Sequence, residues 1–365
     1  MNRKNPGFTC VLVLGLLGLL GWVAQASFAT NSPVNRDVVD TLQQKSTASA
    51  LAPRSALNAV ALAGERLVVA GVRGHILYSD DQGGHWKQAS VPVSVSLTGL
   101  CFADAANGWA VGHRGVILAT RDGGQSWSRQ LDGFRAAQAI LDAHQGDPER
   151  ADEARRLVDE GADKPFLAVQ CLGGSRVLAV GAYGLAFASD DGGAHWQPAR
   201  ELQDGSDGRH LNAVERLDGR LFLAGELGGL MRVNGDLHDF VRLDEPYDGS
   251  FFGLLASNSG TLFAFGLRGH LFRSEDQGGN WQQVALPTSK SLTAGARLND
   301  GSLLLADESG QGWLSRDDGQ SFQAVSAEQR FPLVALLATA DGGSLAVGSN
   351  GITRFPPSAL RPAGK

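Results

Sequence analysis

The chain has 365 residues, enough for one large domain or two to three ordinary ones. Hydrophobic residues make up 43% and charged residues 19%, which provides a core and excludes global disorder. Glycine accounts for 48 residues, well above the usual ~7%, and indicates many tight turns in an all-β chain. The net charge of −6 argues against nucleic acid as the partner, because phosphate binding needs a basic surface. Three cysteines are too few for a disulfide-stapled scaffold or a cysteine-rich metal site.

Residues 1–26 have the features of a secretory signal peptide. Arg3 and Lys4 precede an apolar run from Val11 to Ala24, and cleavage near Ala26 fits the small-x-small pattern. The run is shorter than the ~20 residues that cross a bilayer as a helix, although an uncleaved membrane anchor is the alternative. We therefore predict that the protein is exported to the periplasm. Residues 27–45, after the signal peptide, are predicted to be a flexible leader.

A turn of the form Gly-x-x-Gly recurs through the rest of the chain. It occupies residues 71–74, 112–115, 181–184, 225–228, 266–269, 307–310 (where Asp307 replaces the first glycine) and 348–351. Most steps are 41 residues, and the step of 69 contains a 28-residue insertion. Each copy has two short apolar runs before the turn and two short strands after it, as in a β-propeller blade. We predict an all-β, seven-bladed β-propeller over residues 46–360, acting as a monomer, with a parallel solenoid as the alternative fold.

The seventh copy ends after its third strand, near Phe355. Counting back along the repeat places residues 46–52 in register to supply the missing fourth strand. Such a strand would pair with residues 352–355, close the ring and remove two free sheet edges.

A second motif, Ser/Thr-x-Asp-x-Gly-x-x-Trp/Phe, follows the third apolar run in five copies. Its short polar side chains can satisfy backbone N–H groups in a tight turn, and its aromatic ring can cover the hairpin. This is the Asp-box, and we predict a structural role for it, since it lacks the dense aspartates of a calcium loop. Its residues are Ser79, Asp81, Trp86, Thr120, Asp122, Trp127, Ser189, Asp191, Trp196, Ser274, Asp276, Trp281, Ser315, Asp317 and Phe322.

The second repeat, residues 97–127, carries the most specific motifs: Phe102-x-Asp104, the run 108–112, Gly115-x-Ile117 and the Asp-box ending at Trp127. In these motifs the chain resembles the photosystem II stability/assembly factor family of Asp-box (BNR) propellers, over roughly residues 46–356. The resemblance implies a non-enzymatic, exported scaffold that helps to assemble or stabilise a membrane protein complex. Photosynthetic members act on photosystem II, so that partner is implied only for a photosynthetic host. We predict no cofactor and no metal.

Sialidases share the Asp-box, and a glycoside hydrolase of that type is the enzyme alternative. Its chemistry needs three converging arginines, a Tyr nucleophile paired with Glu, and an Asp acid. Of three tyrosines, Tyr247 beside Glu245 is the best candidate nucleophile. Sialidase propellers have six blades and open on a Phe/Tyr-Arg-Ile-Pro segment that is absent here, so we predict no catalytic residues.

The Gly-x-x-Gly turns and the blade-to-blade connections share one end of a propeller, which we call the connection face; the Asp-box turns lie at the opposite end. Arginine can clamp carboxylates or phosphates, and we predict that a membrane protein of the cell envelope binds to this face. Packing of the arginines over the blade rims is the alternative. The predicted contact residues are Arg73, His75, His113, Arg114, Tyr183, Arg268 and His270.

The insertion between repeats two and three lies within residues 133–165, and its apolar residues have helical spacing. Phe134 and Ile140 belong to a first helix, and a second helix should begin at Asp147-Pro148 and end at Gly161. This helical hairpin would emerge on the connection face as a lid or docking element.

Cys101 and Cys171 occupy the fifth and sixth positions of equivalent first strands. Successive strand residues point to opposite faces of a sheet. We therefore favour two buried free thiols over a disulfide.

Overall fold

The computed structural model describes residues 40–361, except residues 145, 235, 236 and 238. The predicted signal peptide, residues 1–26, lies outside the described residues, as does the leader up to residue 39. The described part forms seven antiparallel sheets, each made of consecutive strands, and confirms the predicted seven-bladed β-propeller. None of its helices has the length and apolar character needed to cross a bilayer.

Each blade starts with an inner strand and adds later strands outward in chain order. The inner strands of neighbouring blades pack on one another around the ring. The strands of blades one to four are β1 (Leu57–Ala63), β2 (Arg66–Gly71), β3 (Ile76–Ser79), β4 (Lys87–Gln88); β5 (Leu97–Phe102), β6 (Gly108–Gly112), β7 (Ile117–Thr120), β8 (Ser128–Leu131); β9 (Phe166–Gly173), β10 (Arg176–Gly181), β11 (Ala186–Ser189), β12 (Gln197–Pro198); and β13 (Leu211–Leu217), β14 (Arg220–Gly225), β15 (Leu230–Val233), β16 (Phe240–Arg242).

Blades five and six also have four strands, and blade seven has three. Their strands are β17 (Phe251–Ala256), β18 (Leu262–Gly266), β19 (Leu271–Ser274), β20 (Gln282–Val284); β21 (Leu292–Arg297), β22 (Leu303–Asp307), β23 (Gln311–Ser315), β24 (Gln323–Ser326); and β25 (Leu333–Ala338), β26 (Ser344–Gly348), β27 (Gly351–Phe355). The α-helices are α1 (Gly133–Ala143), α2 (Pro148–Glu160), α3 (Arg200–Gly205) and α4 (Pro357–Leu360), and short 3-10 helices are Ala52–Arg54, Val72–Gly74, His113–Gly115, Ala182–Gly184 and Leu267–Gly269.

The insertion is the predicted helical hairpin, α1 and α2. Asp132 caps α1 by accepting a hydrogen bond from the Arg135 backbone N–H. Asp147 caps α2 in the same way, and Pro148 takes the first helical position, where its missing N–H costs nothing. Gly161, with φ 78°, ends the helix as predicted.

Alternate residues of each blade pack against the two neighbouring blades. In β6, Trp109 and Val111 belong to the apolar cluster shared with blade three. Ala110, between them, belongs to the cluster shared with blade one. Every residue of β6 is therefore buried.

The prediction of free thiols is wrong, because Cys101 and Cys171 form a disulfide with a Cα–Cα distance of 5.8 Å. Cys101 pairs across β5 and β6 with Trp109, and so faces blade three. Cys171 pairs with Val177 and faces blade two. The two cysteines do point to opposite faces of equivalent strands, as the register implied. Consecutive blades stack face to face, so opposite faces are the ones that meet.

The predicted strand over residues 46–52 is also wrong. The Ser46 N–H donates to the Val91 carbonyl at 3.0 Å, and the Ser49 N–H donates to Gln88 Oε1 at 2.9 Å, so the segment lies beside β4 of blade one. It then turns at Ala52–Arg54 instead of extending along β27. The outer strand of blade seven instead accepts a backbone hydrogen bond from the segment that follows β24: the Glu328 N–H donates to the Arg354 carbonyl at 2.8 Å.

The ring closes instead through side-chain packing. Leu57, Leu67 and Val69 of blade one share a buried cluster with Leu345 and Val347 of blade seven. Burial of aliphatic side chains is favourable by about 25 cal/mol per Å². Arg354 Nη1 of blade seven also donates to the Gln82 carbonyl of blade one at 2.9 Å. Three strands are therefore sufficient for blade seven to seal the ring.

Residues 40–45, the end of the predicted flexible leader, are packed against the propeller. The Leu42 side chain is 2% exposed in the cluster between blades one and two. Its carbonyl accepts a hydrogen bond from Arg129 Nη1 at 2.9 Å, and the Thr41 carbonyl accepts from the Ser94 N–H at 2.9 Å. The buried Leu42 side chain therefore anchors this end of the leader, and the mobility of residues 27–45 stays a prediction.

The five Asp-boxes contain the same hydrogen bonds. In blade two, the Thr120 hydroxyl donates to Asp122 Oδ1 at 2.7 Å and accepts from the Gly124 N–H at 3.0 Å. The same Asp122 oxygen accepts from the Ser126 N–H at 3.0 Å. Gly124 has φ 87°, a region that side chains rarely adopt. The equivalent bonds occur at Ser79–Asp81, Ser189–Asp191, Ser274–Asp276 and Ser315–Asp317.

The aromatic residue of each box packs in an apolar cluster between two neighbouring blades. Trp127 is 6% exposed, and its Nε1 donates to the Gly124 carbonyl at 3.1 Å. Trp86, Trp196, Trp281 and Phe322 are half-buried. Trp196 Nε1 donates to Gln130 Oε1 of blade two at 3.2 Å. The box aromatics thus help to join neighbouring blades, which fits a structural role.

Removal of the disulfide should lower the free energy of unfolding by about 4 kcal/mol, because the bond links residues 70 apart and restricts the unfolded chain. Guanidinium denaturation of the wild type with and without dithiothreitol measures this. A Cys101→Ser/Cys171→Ser variant is the control and should not respond to dithiothreitol. Equal stability of the oxidised and reduced wild type would contradict the expectation.

Trp127→Ala should destabilise the fold by about 3–5 kcal/mol, the usual loss for a buried tryptophan. Asp122→Ala should cost about 1–2 kcal/mol, because it leaves turn N–H groups unpaired. Thermal and urea unfolding measure both. Arg121→Ala, an exposed change in the same turn, is the control and should stay within ~0.5 kcal/mol of wild type. Wild-type melting temperatures in both variants would exclude a structural role for this box.

Asp-box stability should be lost in acid. Hydrogen bonds from the Asn280 side chain and N–H and from the Ser274 hydroxyl lower the pKa of Asp276 from 3.8 to about 2. A lowered pKa means that the carboxylate stabilises the fold above about pH 4 and that this contribution falls as the pH drops towards 2. The stability difference between wild type and Asp276→Asn, from urea denaturation, should shrink over this range. A difference that is constant from pH 6 to pH 2.5 would rule out the carboxylate as its source.

Candidate partner-binding face

The third residue of the Gly-x-x-Gly turn has a left-handed backbone in five blades. Its φ is 57° at Arg73, 61° at Arg114 and 58° at Arg268. Tyr183, with φ 55°, and Leu227, with φ 52°, have the same conformation. Residues other than glycine rarely adopt it. The turn imposes this conformation whatever the side chain is.

The turns pack on the blade-to-blade connections, so both lie on the connection face. The Gly74 N–H donates to the Val95 carbonyl at 2.7 Å, in the connection from blade one to blade two. The Gly228 N–H donates to the Gly249 carbonyl at 2.9 Å, in the connection from blade four to blade five. The helical hairpin belongs to the connection from blade two to blade three, and therefore lies on this face too.

The three arginines of the connection face have different surroundings. Arg73 and Arg268 are exposed, and neither forms an ion pair within the described part of the chain. Arg114 is half-buried: its guanidinium carbon lies 5.9 Å from the Phe134 ring centre, and Nη2 lies 3.5 Å from Asp40 Oδ1. Arg73 and Arg268 are therefore available to a partner, whereas Arg114 is largely engaged within the protein.

The three predicted contact histidines also differ. His113 is exposed. His75 is 5% exposed, its Nδ1 is 3.2 Å from the Ser55 hydroxyl, and burial together with the Arg73 charge lowers its pKa. Its prediction as a contact residue is wrong, because the side chain is buried beside Ser55. His270 is half-buried and stacks on Tyr247, with ring centres 4.1 Å apart.

Tyr183 is the most exposed aromatic side chain of the described residues, at 61%. Lys164 Nζ lies 4.8 Å from its ring centre, and the His210 ring centre is also 4.8 Å away. The ring is thus close to two polar side chains while most of the residue is exposed to solvent.

The candidate nucleophile pair of the sialidase alternative, Tyr247 and Glu245, contacts other groups. Glu245 Oε1 accepts a hydrogen bond from Arg209 Nη1 at 2.7 Å, so its carboxylate already has a partner. Tyr247 stacks on His270 and Phe272. Among the described residues, no group of three His, Cys, Asp or Glu side chains could hold a metal ion.

Sequence reasoning missed a cleft on this face. It lies between the hairpin, the turn of blade three and α3, and has a volume of about 420 Å³. Its lining combines residues separated by more than 70 positions, from Gly133 to Gly208. The one signal in the sequence was the step of 44 residues between the third and fourth repeats, since the extra residues fall in the segment that forms α3.

Comparisons with known proteins agree with the repeat motifs. Residues 82–142 match a family model described as photosynthesis system II assembly factor YCF48. The chloroplastic photosystem II stability/assembly factor HCF136 of Cyanidioschyzon merolae (strain NIES-3377 / 10D) is 27% identical over 196 residues, which cover 47% of this chain and 43% of that protein. The photosystem II assembly protein Ycf48 of Synechococcus sp. (strain JA-2-3B'a(2-13)) is 28% identical over 159 residues, which cover 36% of this chain and 47% of that protein. The chain thus spans less than half the length of either curated relative.

Solved structures share the fold over most of the chain. A structure described as YCF48 bound to D1 peptide superposes with a TM-score of 0.63 at 17% identity, covering 83% of this chain and 94% of that one. YCF48 from Cyanidioschyzon merolae superposes with a TM-score of 0.63 at 16% identity, covering 86% and 99%. The resemblance to the photosystem II stability/assembly factor-like Asp-box (BNR) propellers, inferred from the repeat motifs, is confirmed.

Proposed function

We propose that the protein is an exported, non-catalytic propeller that acts as a binding and assembly scaffold for a membrane protein complex of the cell envelope. The similarity to photosystem II assembly factors carries this proposal. In a photosynthetic host the complex is photosystem II; elsewhere it is another envelope membrane protein. The propeller works as a monomer.

The partner docks on the connection face. The exposed arginines and the helical hairpin both lie on this face. Neither is needed to form the blades or close the propeller, which supports a binding role for them. Arg73 and Arg268 can clamp carboxylate groups of a protein segment with paired hydrogen bonds. One similar structure holds a D1 peptide, which supports a segment of a membrane protein as the ligand.

The disulfide supports export. Disulfides persist in oxidising compartments and are rare in the cytosol. The bond between Cys101 and Cys171 joins the first strands of blades two and three, and both cysteines are half-buried. A chain that folds in the periplasm would gain this bond, in line with the signal-peptide features of residues 1–26.

Charge reversal on the connection face should weaken partner capture. We expect Arg73→Glu/Arg268→Glu to recover less of the membrane partner than wild type in a pull-down from solubilised membranes. The loss should be larger at low salt, where charges are screened less. Arg121→Glu/Arg176→Glu, at the opposite end of the ring, is the matched control and should recover wild-type amounts.

Deletion of residues 134–163 tests the hairpin in the same assay. Gly133 lies directly against Ala162, so the two ends of the insertion can be rejoined and the ring should remain folded. If the double charge reversal and the deletion both recover the same partners as wild type, the partner docks elsewhere.

A further inference from the structure

The cleft on the connection face has an apolar floor. Ala137 and Ile140 of α1, Ala154 and Leu157 of α2 and Leu185 of blade three contribute to it. Its volume of about 420 Å³ is within the range of pockets that bury small ligands, about 300–1,000 Å³. Because much of the floor is alanine and glycine, the space between the helices and the blade can admit a bulky apolar side chain.

The rim of the cleft is acidic. Arg150 Nη1 lies 2.7 Å from Asp204 Oδ2, and this ion pair joins the hairpin to α3. Lys164 Nζ lies 2.7 Å from Glu160 Oε2 and 3.1 Å from Asp163 Oδ1, so its charge is more than matched. Of the charged residues that line the cleft, two are basic, Arg150 and Lys164, and three are acidic, Glu153, Asp204 and Asp207, so carboxylates are in excess.

Glu153 is the acidic group best placed to meet a ligand. It lines the cleft, is exposed, and forms no ion pair within the described part of the chain. The other acidic groups of the rim already pair with Arg150, Lys164 or Arg242. An incoming cation would therefore find the Glu153 carboxylate exposed and outside any ion pair, next to an apolar floor and within electrostatic reach of Arg150.

We propose that this cleft binds a basic peptide segment of the partner, with a bulky apolar side chain inserted between α1, α2 and blade three and a flanking lysine or arginine at Glu153. Charge complementarity selects this occupant, because an acidic segment would meet the surplus of carboxylates. The exposed Tyr183 ring at the cleft edge supplies a flat surface for the peptide. The proposal rests on the proposed binding function and specifies one contact of it.

Fluorescence polarisation with short labelled peptides tests the cleft directly. The probe is fluorescein-labelled Lys-Leu-Trp-Lys-Gly, titrated with the purified full chain at low salt. Two comparison peptides replace either the charge, Glu-Leu-Trp-Glu-Gly, or the apolar side chains, Lys-Ser-Ser-Lys-Gly. We expect the first peptide to bind roughly tenfold more tightly than either of the others.

Two variants with matched controls locate the site. Leu157→Trp fills the floor and should abolish peptide binding, whereas Val158→Trp, a half-buried neighbour outside the cleft, should not. Glu153→Lys should weaken binding roughly fivefold, whereas Asp159→Lys, an exposed change on the same helix but outside the lining, should have less than a twofold effect. Circular dichroism confirms that each variant keeps the helical hairpin.

Several outcomes would overturn the proposal: no peptide binds, the acidic peptide binds as well as the basic one, or Leu157→Trp and Glu153→Lys bind like their controls. The membrane pull-down separates this failure from that of the proposed function. Recovery of the membrane partner by a chain that binds no peptide would support the scaffold role and rule out the cleft as a peptide site. Peptide binding without any membrane partner would support the cleft and argue against the scaffold role.

Discussion

The packing of every blade on both of its neighbours is the constraint from which the rest of the structure follows. The second strands make this plain, because Gly108–Gly112, Leu262–Gly266 and Ser344–Gly348 are buried at every residue. Side chains that alternate between two faces must satisfy two different apolar clusters at once. The same alternation brings Cys101 to Cys171, and it lets a three-stranded blade seven seal the ring against blade one. Closure thus depends on buried side chains and not on a shared strand.

The two ends of the ring are constrained in different ways. At the Asp-box end, the hydroxyl and carboxylate of each turn hold specific backbone N–H groups, so the residue types are fixed by structure. On the connection face, backbone hydrogen bonds fix the left-handed conformation of the third turn residue, and the side chain stays unspecified. Arginine, tyrosine and leucine all occupy that position. Side-chain identity at this end is therefore available for binding.

The sequence was sufficient for the fold and only partly sufficient for the candidate site. The repeats, the Asp-boxes and the hairpin with its caps at Asp147 and Gly161 are local patterns, and the structure confirms them. The segment 46–52 had the right register for a strand of blade seven. Hydrogen bonds to Gln88 and the turn at Ala52–Arg54 place it beside blade one instead, and a repeat count shows neither of these interactions. The cleft could not be predicted, because it exists only where the hairpin meets α3. His75 was misjudged for a similar reason, since its burial depends on the segment around Ser55.

The connection face carries opposite charges at separate places on a rigid ring. Arg73 and Arg268 extend from blades one and five, whereas the acidic cleft lies beside blade three. Complementary charges across an interface add more to orientation and association rate than to affinity. A partner with an acidic region and a basic, apolar segment could match both places in one orientation only, because the blades cannot shift relative to one another without breaking their shared clusters. The apolar floor of the cleft then supplies the affinity that exposed ion pairs do not, since burying an apolar side chain is worth about 1.5–3 kcal/mol and an exposed ion pair about 0–1 kcal/mol. Under the proposed function, selectivity and strength of binding would thus come from different parts of the same face, the arginine turns and the hairpin.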